Sequence, residues 1–220
     1  MTPKIIHQIV GPAPSALIKR CLASWAALTE EGFEIRIWND ESLALFIGEN
    51  YAFALDAFIN ARNHAEASDI ARYLIIHRFG GYYVDWDILL FNSLGFLSLA
   101  SSNRTGYLLI DKKNLTLASE HFAAPTGEAY LLHLVHDIIH TYERGERELM
   151  ETPQYSGPYR MKTAYQRYRI TQQTVIDVKD IFEYDYSEIR QASVYGRNKL
   201  MIHFWGHSWI AGEHQNLFID

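Results

Sequence analysis

The stretch Gly80-Gly81-Tyr82-Tyr83-Val84-Asp85-Trp86-Asp87 constrains this chain more than any other. A glycine pair closes a helical pattern, a short apolar strand follows, and two carboxylates flank one aromatic residue at the strand's end. Acids this close raise each other's pKa and are costly unless something neutralises them. A divalent cation holding a diphosphate is a ready neutraliser. In an extended strand, residues two apart face the same way, so Asp85 and Asp87 are expected to reach one ion together. Oxygen-rich donors suit Mn²⁺ or Mg²⁺. The competing reading is a solvated acidic turn.

The pattern leading into this stretch alternates strands and helices. Residues 4–10 form an apolar run ended by Gly11-Pro12, which reads as a buried strand. Ser15 is placed to cap a helix running to about residue 29, and Gly32 ends it. Residues 33–38 alternate as a strand does. Asn39-Asp40 begin further helix to about residue 63, and residues 65–79 form the helix that enters Gly80-Gly81, where glycine permits a left-handed turn. Strand–helix–strand–helix–helix–strand implies an α/β fold, a Rossmann-like, mostly parallel central sheet flanked by helices. Ligands of such sheets sit beyond the carboxyl ends of the strands, where Val10-Gly11 and Asp85-Trp86-Asp87 both fall. In the second half, residues 107–111, 115–118 and 199–205 read as strands, residues 126–143 as a helix, and Gly157-Pro158 as a turn before a basic, tyrosine-rich helix.

Length and charge narrow the function. The 220 residues fit one domain. A formal charge of −6 argues against nucleic acid as a partner, which needs a basic stripe. Cys21 is the one cysteine, so no internal disulfide forms, which suits a reducing compartment. No apolar run is long enough to span a bilayer, and the N-terminus leads straight into the first strand rather than a signal peptide. The expected location is therefore cytoplasmic, at the inner membrane surface for a membrane-linked acceptor.

Other clusters carry two readings each. Asp69 and Arg72 share a helix face, either as a local ion pair or as groups holding sugar hydroxyls and phosphate. The tail from Ile202 to Trp209 is rich in His and Trp: His203 is acceptable to Mn²⁺, and Ser208 and Trp209 can donate to phosphate oxygens, whereas the plain alternative is a terminal strand packing its aromatics. His133, His136 and His140 share one helix face, read as a polar surface in preference to a zinc site. Tyr159 through Arg169 form a basic, aromatic stretch, either a solvated helix face or a peripheral membrane contact.

The ordered set of motifs resembles the DXD-carrying sugar transferases of glycosyltransferase family 32, which includes Golgi mannosyltransferases and bacterial capsule and lipopolysaccharide enzymes, with clostridial glucosylating toxins as distant relatives. Lys4-Ile5-Ile6-His7-Gln8-Ile9 resembles the family's opening strand and Cys21-Leu22-Ala23-Ser24-Trp25 its first helix. Ala67 through Leu74 with Gly80 through Asp87 resemble its central signature, and Ser156-Gly157-Pro158 and His203 through Trp209 its later motifs. The resemblance implies a GT-A fold, with residues 1–100 binding the nucleotide-sugar and residues 101–220 facing the acceptor and supplying a tail that closes over metal and diphosphate. Asp85 and Asp87 would be the catalytic acids, with His203 completing the metal set. His7, Val10, Asp69, Arg72, Tyr83, Glu120, Ser208 and Trp209 would bind the nucleotide-sugar, Tyr83 lying against the nucleoside and Glu120 facing the sugar where the family more often has an amide. The family usually ends its opening strand with Trp; Val10 offers no π face, and Trp38 is either the substitute or core.

The implied reaction moves a hexosyl group from UDP- or GDP-hexose to a glycan or lipid-linked glycan acceptor, with retention, in surface polysaccharide, capsule or lipopolysaccharide biosynthesis. The alternatives are an effector-type protein glucosyltransferase, a nucleotide-sugar-binding protein without turnover, and a metal-dependent phosphohydrolase.

Overall fold

A computed structural model describes residues 1–168, 171–192 and 196–206. The first half builds β1 (Ile5–Ile9), α1 (Ala16–Trp25), β2 (Glu34–Trp38), α2 (Asp40–Asn50), α3 (Ala52–Ile59), α4 (His64–Phe79), β3 (Gly81–Val84), β4 (Ile88–Leu90) and α5 (Ser93–Ser102). The second half adds β5 (Tyr107–Asp111), β6 (Thr116–Leu117), β7 (His121–Ala124), α6 (Ala129–Glu143), α7 (Thr152–Tyr155), α8 (Pro158–Tyr168), β8 (Thr174–Asp177), α9 (Val178–Ile181), α10 (Tyr186–Ile189) and β9 (Met201–His203). The caps read from sequence form as expected. Ser15 Oγ accepts from Ile18 N, and Asn39 closes a reciprocal box with Ser42.

The central sheet places β1 between β2 and β3, both parallel to it. β3 then pairs antiparallel with β7, which pairs antiparallel with β5. β5 also carries β6 antiparallel and β8 parallel. Followed across these pairings, β1, β2, β3, β5 and β8 share one direction and only β6 and β7 oppose it, so the sheet is mostly parallel. β3 is buried at every position because helices cover both faces. Alternation sends Tyr82 and Val84 into a layer with Trp25, Phe33 and Phe96, and Tyr83 into the opposite layer under α4 and α6.

The break between α4 and β3 differs from the helix-end turn expected. Gly80 has φ 66° and ψ −168°, an extended conformation of positive φ that only glycine holds readily. A Cβ there would lie 2.7 Å from Pro3 Cδ and from the Thr126 amide, and one on Gly81 would lie 2.4 Å from the Ile5 carbonyl oxygen. The pair lets α4 pass directly into a strand pressed against β1.

Two other expectations change. The tail strand is shorter than residues 199–205 and stays outside the main sheet: β9 pairs antiparallel with β4, which the sequence did not announce, in a separate two-stranded ribbon. Trp25 Nε1–H donates to the Ile88 carbonyl (2.9 Å) and Ser24 Oγ accepts from Leu90 N (2.9 Å), so α1 holds this ribbon in place. Among the described residues, no helix is long and apolar enough to cross a membrane.

Two buried histidines tie the sheet together in neutral form. His121 sits between the Tyr83 carbonyl at Nδ1 (2.7 Å) and the Tyr107 hydroxyl at Nε2 (2.6 Å), so Nδ1–H donates and Nε2 accepts. His7 receives the Trp38 indole N–H at Nδ1 (3.2 Å) and donates Nε2–H to the Gly80 carbonyl (3.1 Å). Burial lowers their pKa values to about 4 for His121 and about 3 for His7. An unfolded chain protonates both near 6.5, so below that pH the unfolded state binds more protons and stability falls as pH drops toward 4. Each ring contributes a slope of up to about 1.4 kcal/mol per pH unit. Because carboxylates titrate in the same range, the readout is a difference. The unfolding free energy of wild type minus that of His121→Gln, from urea titrations, is expected to shrink steadily between pH 7 and pH 4; a constant difference would mean that His121 takes up its proton equally in the folded and unfolded states, so that burial does not lower its pKa.

Candidate active site at the carboxyl edge of the sheet

The chain direction of each element decides which residues meet. β1 and β3 end at the same edge, and α4 returns antiparallel to β3, bringing its first turns there. β7 runs opposite to β3, so its start lies at that edge too, and Asp85 N donates to the Glu120 carbonyl (2.9 Å). The β4–β9 register places His203 opposite Ile88, one residue beyond Asp87. These elements enclose a cleft of about 320 Å³, walled by Ile9, His64, Asp69, Trp86 and Tyr186 among others and floored by the acids.

Asp85-Trp86-Asp87 does not continue the strand as expected. β3 ends at Val84, and Ile88 N bonds the Asp85 carbonyl (3.1 Å), closing a tight turn. Strand alternation therefore does not align the acids; the turn does. One donor atom from each of Asp85, Asp87 and His203 lies within 4.8 Å of the others, the arrangement of a possible metal site. Among the described residues no other group of His, Cys, Asp or Glu meets that criterion. Two of the three helical histidines are accounted for otherwise: His133 stacks on Tyr168 (4.4 Å) and His136 on Phe53 (4.5 Å).

Each acid is held separately. Asp85 accepts from the Tyr83 hydroxyl (2.7 Å) and lies 3.3 Å from Arg72 Nη2. Asp87 accepts from Gly206 N (2.7 Å) and faces His203 Nε2 at 3.3 Å. Asp69 accepts from the Ser156 hydroxyl (2.8 Å) and lies 3.5 Å from Arg72. Arg72 donates to the Ser119 and Ser68 carbonyls (2.8 and 3.2 Å) and spreads over the Tyr83 ring at 4.6 Å.

The charge is unbalanced. Among the described residues, four carboxyl groups, Asp69, Asp85, Asp87 and Glu120, share the cleft with three groups able to carry positive charge, Arg72, His203 and His64 at the rim. Burial pushes Asp69 up to about 6 against the pull of Arg72 and Ser156, and it raises Asp85 and Glu120 as well. Burial also works against Asp87 and His203, but their mutual contact prevails, holding Asp87 below and His203 above the ordinary range. The buried Nδ1 of His203 has no hydrogen-bond partner among the described residues and lies 3.8 Å from Glu120. Two carboxylates, an imidazole and an excess of negative charge fit a divalent cation.

Not every expected residue reaches the cleft. Asp69, Arg72, Tyr83, Asp85, Asp87, Glu120 and His203 line it. His7 does not: it is fully buried and ties β1 to Trp38 and Gly80. Val10 is half-buried beside the cleft, bonded through its amide to the Trp38 carbonyl, and is not a lining residue. Tyr83 is buried beneath Arg72 with its hydroxyl on Asp85, which places it as a support for the acid instead of a face for the nucleoside. Ser208 and Trp209 lie outside the described residues. In the basic helix, Arg160, Lys162 and Arg167 engage Tyr155, Leu115 and Asp137 within the protein.

Sequence reasoning missed several contributors. Ser156 was legible only as part of a motif; the Gly206 amide and the Ser119 carbonyl act through backbone and leave no side-chain signal. Trp205 adopts φ 47°, a strained conformation for a bulky residue, with its indole 4.2 Å from the His203 ring.

Arg72 is the buried counter-charge for Asp69 and Asp85. Arg72→Ala is expected to cost about 3–5 kcal/mol of unfolding free energy in urea, with Arg72→Lys recovering only part because the fork is lost. A wild-type midpoint for the alanine variant would show that Arg72 does not balance these acids.

Residues 15–106 match the family described as "Glycosyltransferase sugar-binding region containing DXD motif". The chain is 22% identical over 212 residues to inositol phosphoceramide mannosyltransferase 1 of Schizosaccharomyces pombe (strain 972 / ATCC 24843), covering 94% of this chain and 62% of that protein. It thus spans less than two thirds of that relative's length. In structure it resembles the PaToxG glycosyltransferase, with TM-score 0.57, 17% identity and coverage of 76% of this chain and 70% of the other. It also resembles a glycosyltransferase involved in the glycosylation of the major capsid of PBCV-1, with TM-score 0.52, 13% identity and coverage of 92% and 94%. The fold is of the GT-A type, and within it residues 15–106 are similar to the glycosyltransferase sugar-binding region that contains the DXD motif.

Proposed function

We propose that this chain is a metal-dependent glycosyltransferase moving a hexosyl group from UDP- or GDP-hexose to a hydroxyl of a glycan or lipid-linked glycan acceptor, with retention, at the cytoplasmic face of a membrane in surface-glycan biosynthesis. The observation that carries the reading is the convergence of Asp85, Asp87 and His203 in a cleft with surplus negative charge. The similarity of residues 15–106 to a glycosyltransferase sugar-binding region supports the transfer itself, and the mannosyltransferase name of the fission-yeast relative puts mannose and a lipid-type acceptor first among those to test.

Asp85, Asp87 and His203 would hold Mn²⁺ or Mg²⁺. When bound, the ion supplies positive charge against the charge growing on the leaving diphosphate. Tyr83 and Arg72 aim Asp85 and oppose the upward pull of burial on its pKa, and the Gly206 amide aims Asp87. Ser156 orients Asp69, which is left to accept from donor sugar hydroxyls. The bond from the anomeric carbon to the diphosphate oxygen breaks, a bond to the acceptor oxygen forms on the same face, and the acceptor proton passes to the departing phosphate oxygen. Residues 1–100 serve the donor, and residues 101–220 face the acceptor while also supplying His203 to the metal set and Ser156 to Asp69.

Incubation with Mn²⁺ and a panel of UDP- and GDP-hexoses is expected to release nucleoside diphosphate from one donor. Asp87→Ala should lower that rate by about 100-fold or more, and His203→Ala should weaken Mn²⁺ binding measured by calorimetry. Unchanged turnover in the first variant or unchanged Mn²⁺ affinity in the second would remove that residue from the site. Donor binding without turnover would instead favour a nucleotide-sugar-binding protein.

A further inference from the structure

We propose that Trp86, the middle residue of the Asp-Trp-Asp turn, is the stacking platform for the base of the donor nucleotide, seated on Gly11. The proposal rests on the nucleotide-sugar reading of the cleft and adds to it the residue that grips the base.

The end of β1 lacks an aromatic side chain, since Val10 stands there and stays off the cleft wall. Trp38 does not take its place. Its indole N–H is engaged by His7, and its ring packs against Phe46 (5.3 Å) and Phe79 (5.9 Å) away from the cleft. Trp86 does face the cleft and is half-buried. Its six-membered ring lies against Gly11, where a Cβ would come within 3.1 Å of Cη2 and 3.2 Å of Cζ3. Gly11 has no positive φ, so this close approach, not a special backbone conformation, is what calls for glycine. His64 flanks the indole with ring centroids 6.1 Å apart, while its Nδ1 lies 3.6 Å from Asp40.

The remaining aromatic residues on the described walls are committed elsewhere. Tyr83 lies beneath Arg72. Tyr186 and Trp205 meet edge to face at 6.0 Å on the opposite, second-half wall, beside His203. Among the described tyrosines and tryptophans of the cleft wall, Trp86 is the one at the carboxyl end of β1, where doubly wound sheets hold a nucleotide. Its two sequence neighbours are the acids placed for the cation. A base on residue 86 thus brings the attached diphosphate toward residues 85 and 87, and one turn addresses both ends of the nucleotide. Stacking on an indole is tolerant of base identity, since every base has a π face.

The test compares nucleotide with a base-free probe. UDP, GDP and inorganic pyrophosphate are titrated in Mn²⁺ by calorimetry against wild type, Trp86→Ala, Trp86→Phe and Gly11→Ala. Trp86→Ala is expected to weaken the tighter nucleoside diphosphate by about 10-fold or more, Trp86→Phe to retain most of its affinity, and Gly11→Ala to weaken it by displacing the indole. Pyrophosphate should bind all four proteins alike, which also reports that the variants are folded. Equal nucleotide affinity in wild type and Trp86→Ala would overturn the stacking role and leave the function intact. Parallel loss of pyrophosphate would overturn it too, by showing that Trp86 merely shapes the turn. Wild type binding neither nucleotide nor pyrophosphate would overturn the functional reading with it.

Discussion

One buried guanidinium organises the cleft. Arg72 leaves α4 with its charge in a nearly dry place, bonded to two backbone carbonyls and spread over the Tyr83 ring, and the acids Asp69 and Asp85 lie against it. Burial alone would drive such carboxyls toward their neutral form. A permanent, rigid cation opposes that tendency at both, and it joins the helix before the glycine pair to the turn after β3. The site is therefore held together by interactions among the protein's own groups, and the low accessibility that makes their charges expensive also strengthens each interaction between them.

Much of the first half was legible because its local signals agree with the global fold. Ser15 and Asn39 cap helices where caps were expected, and the strand–helix alternation implied the parallel part of the sheet. The second half was harder. β4, β8 and β9 are four residues or fewer, and their pairing partners lie far away in sequence, so periodicity had little to act on. The position of β9 in a separate ribbon followed from Trp25 and Ser24 holding β4, contacts that no local pattern encodes.

The site divides along the same line. Side-chain chemistry at Asp69, Arg72, Asp85, Asp87, Glu120 and His203 was visible as residue type. Strand alternation gave the wrong reason for the alignment of the two acids, because the backbone turns at Asp85. His7 shows the opposite error: a polar residue beside a motif was read as a ligand contact when its two ring nitrogens were needed to satisfy the Gly80 carbonyl and the Trp38 indole. Such buried polar pairs are structural demands, and only the partners reveal them.

The β4–β9 ribbon has a consequence for biosynthesis of the protein itself. The two acids belong to the turn after β3, whereas the imidazole arrives on a strand made more than a hundred residues later. A ribosome-bound chain can complete the helices and strands around that turn while still lacking the third donor. The cluster of three donors is completed only once residue 203 has been made and β9 docks along β4.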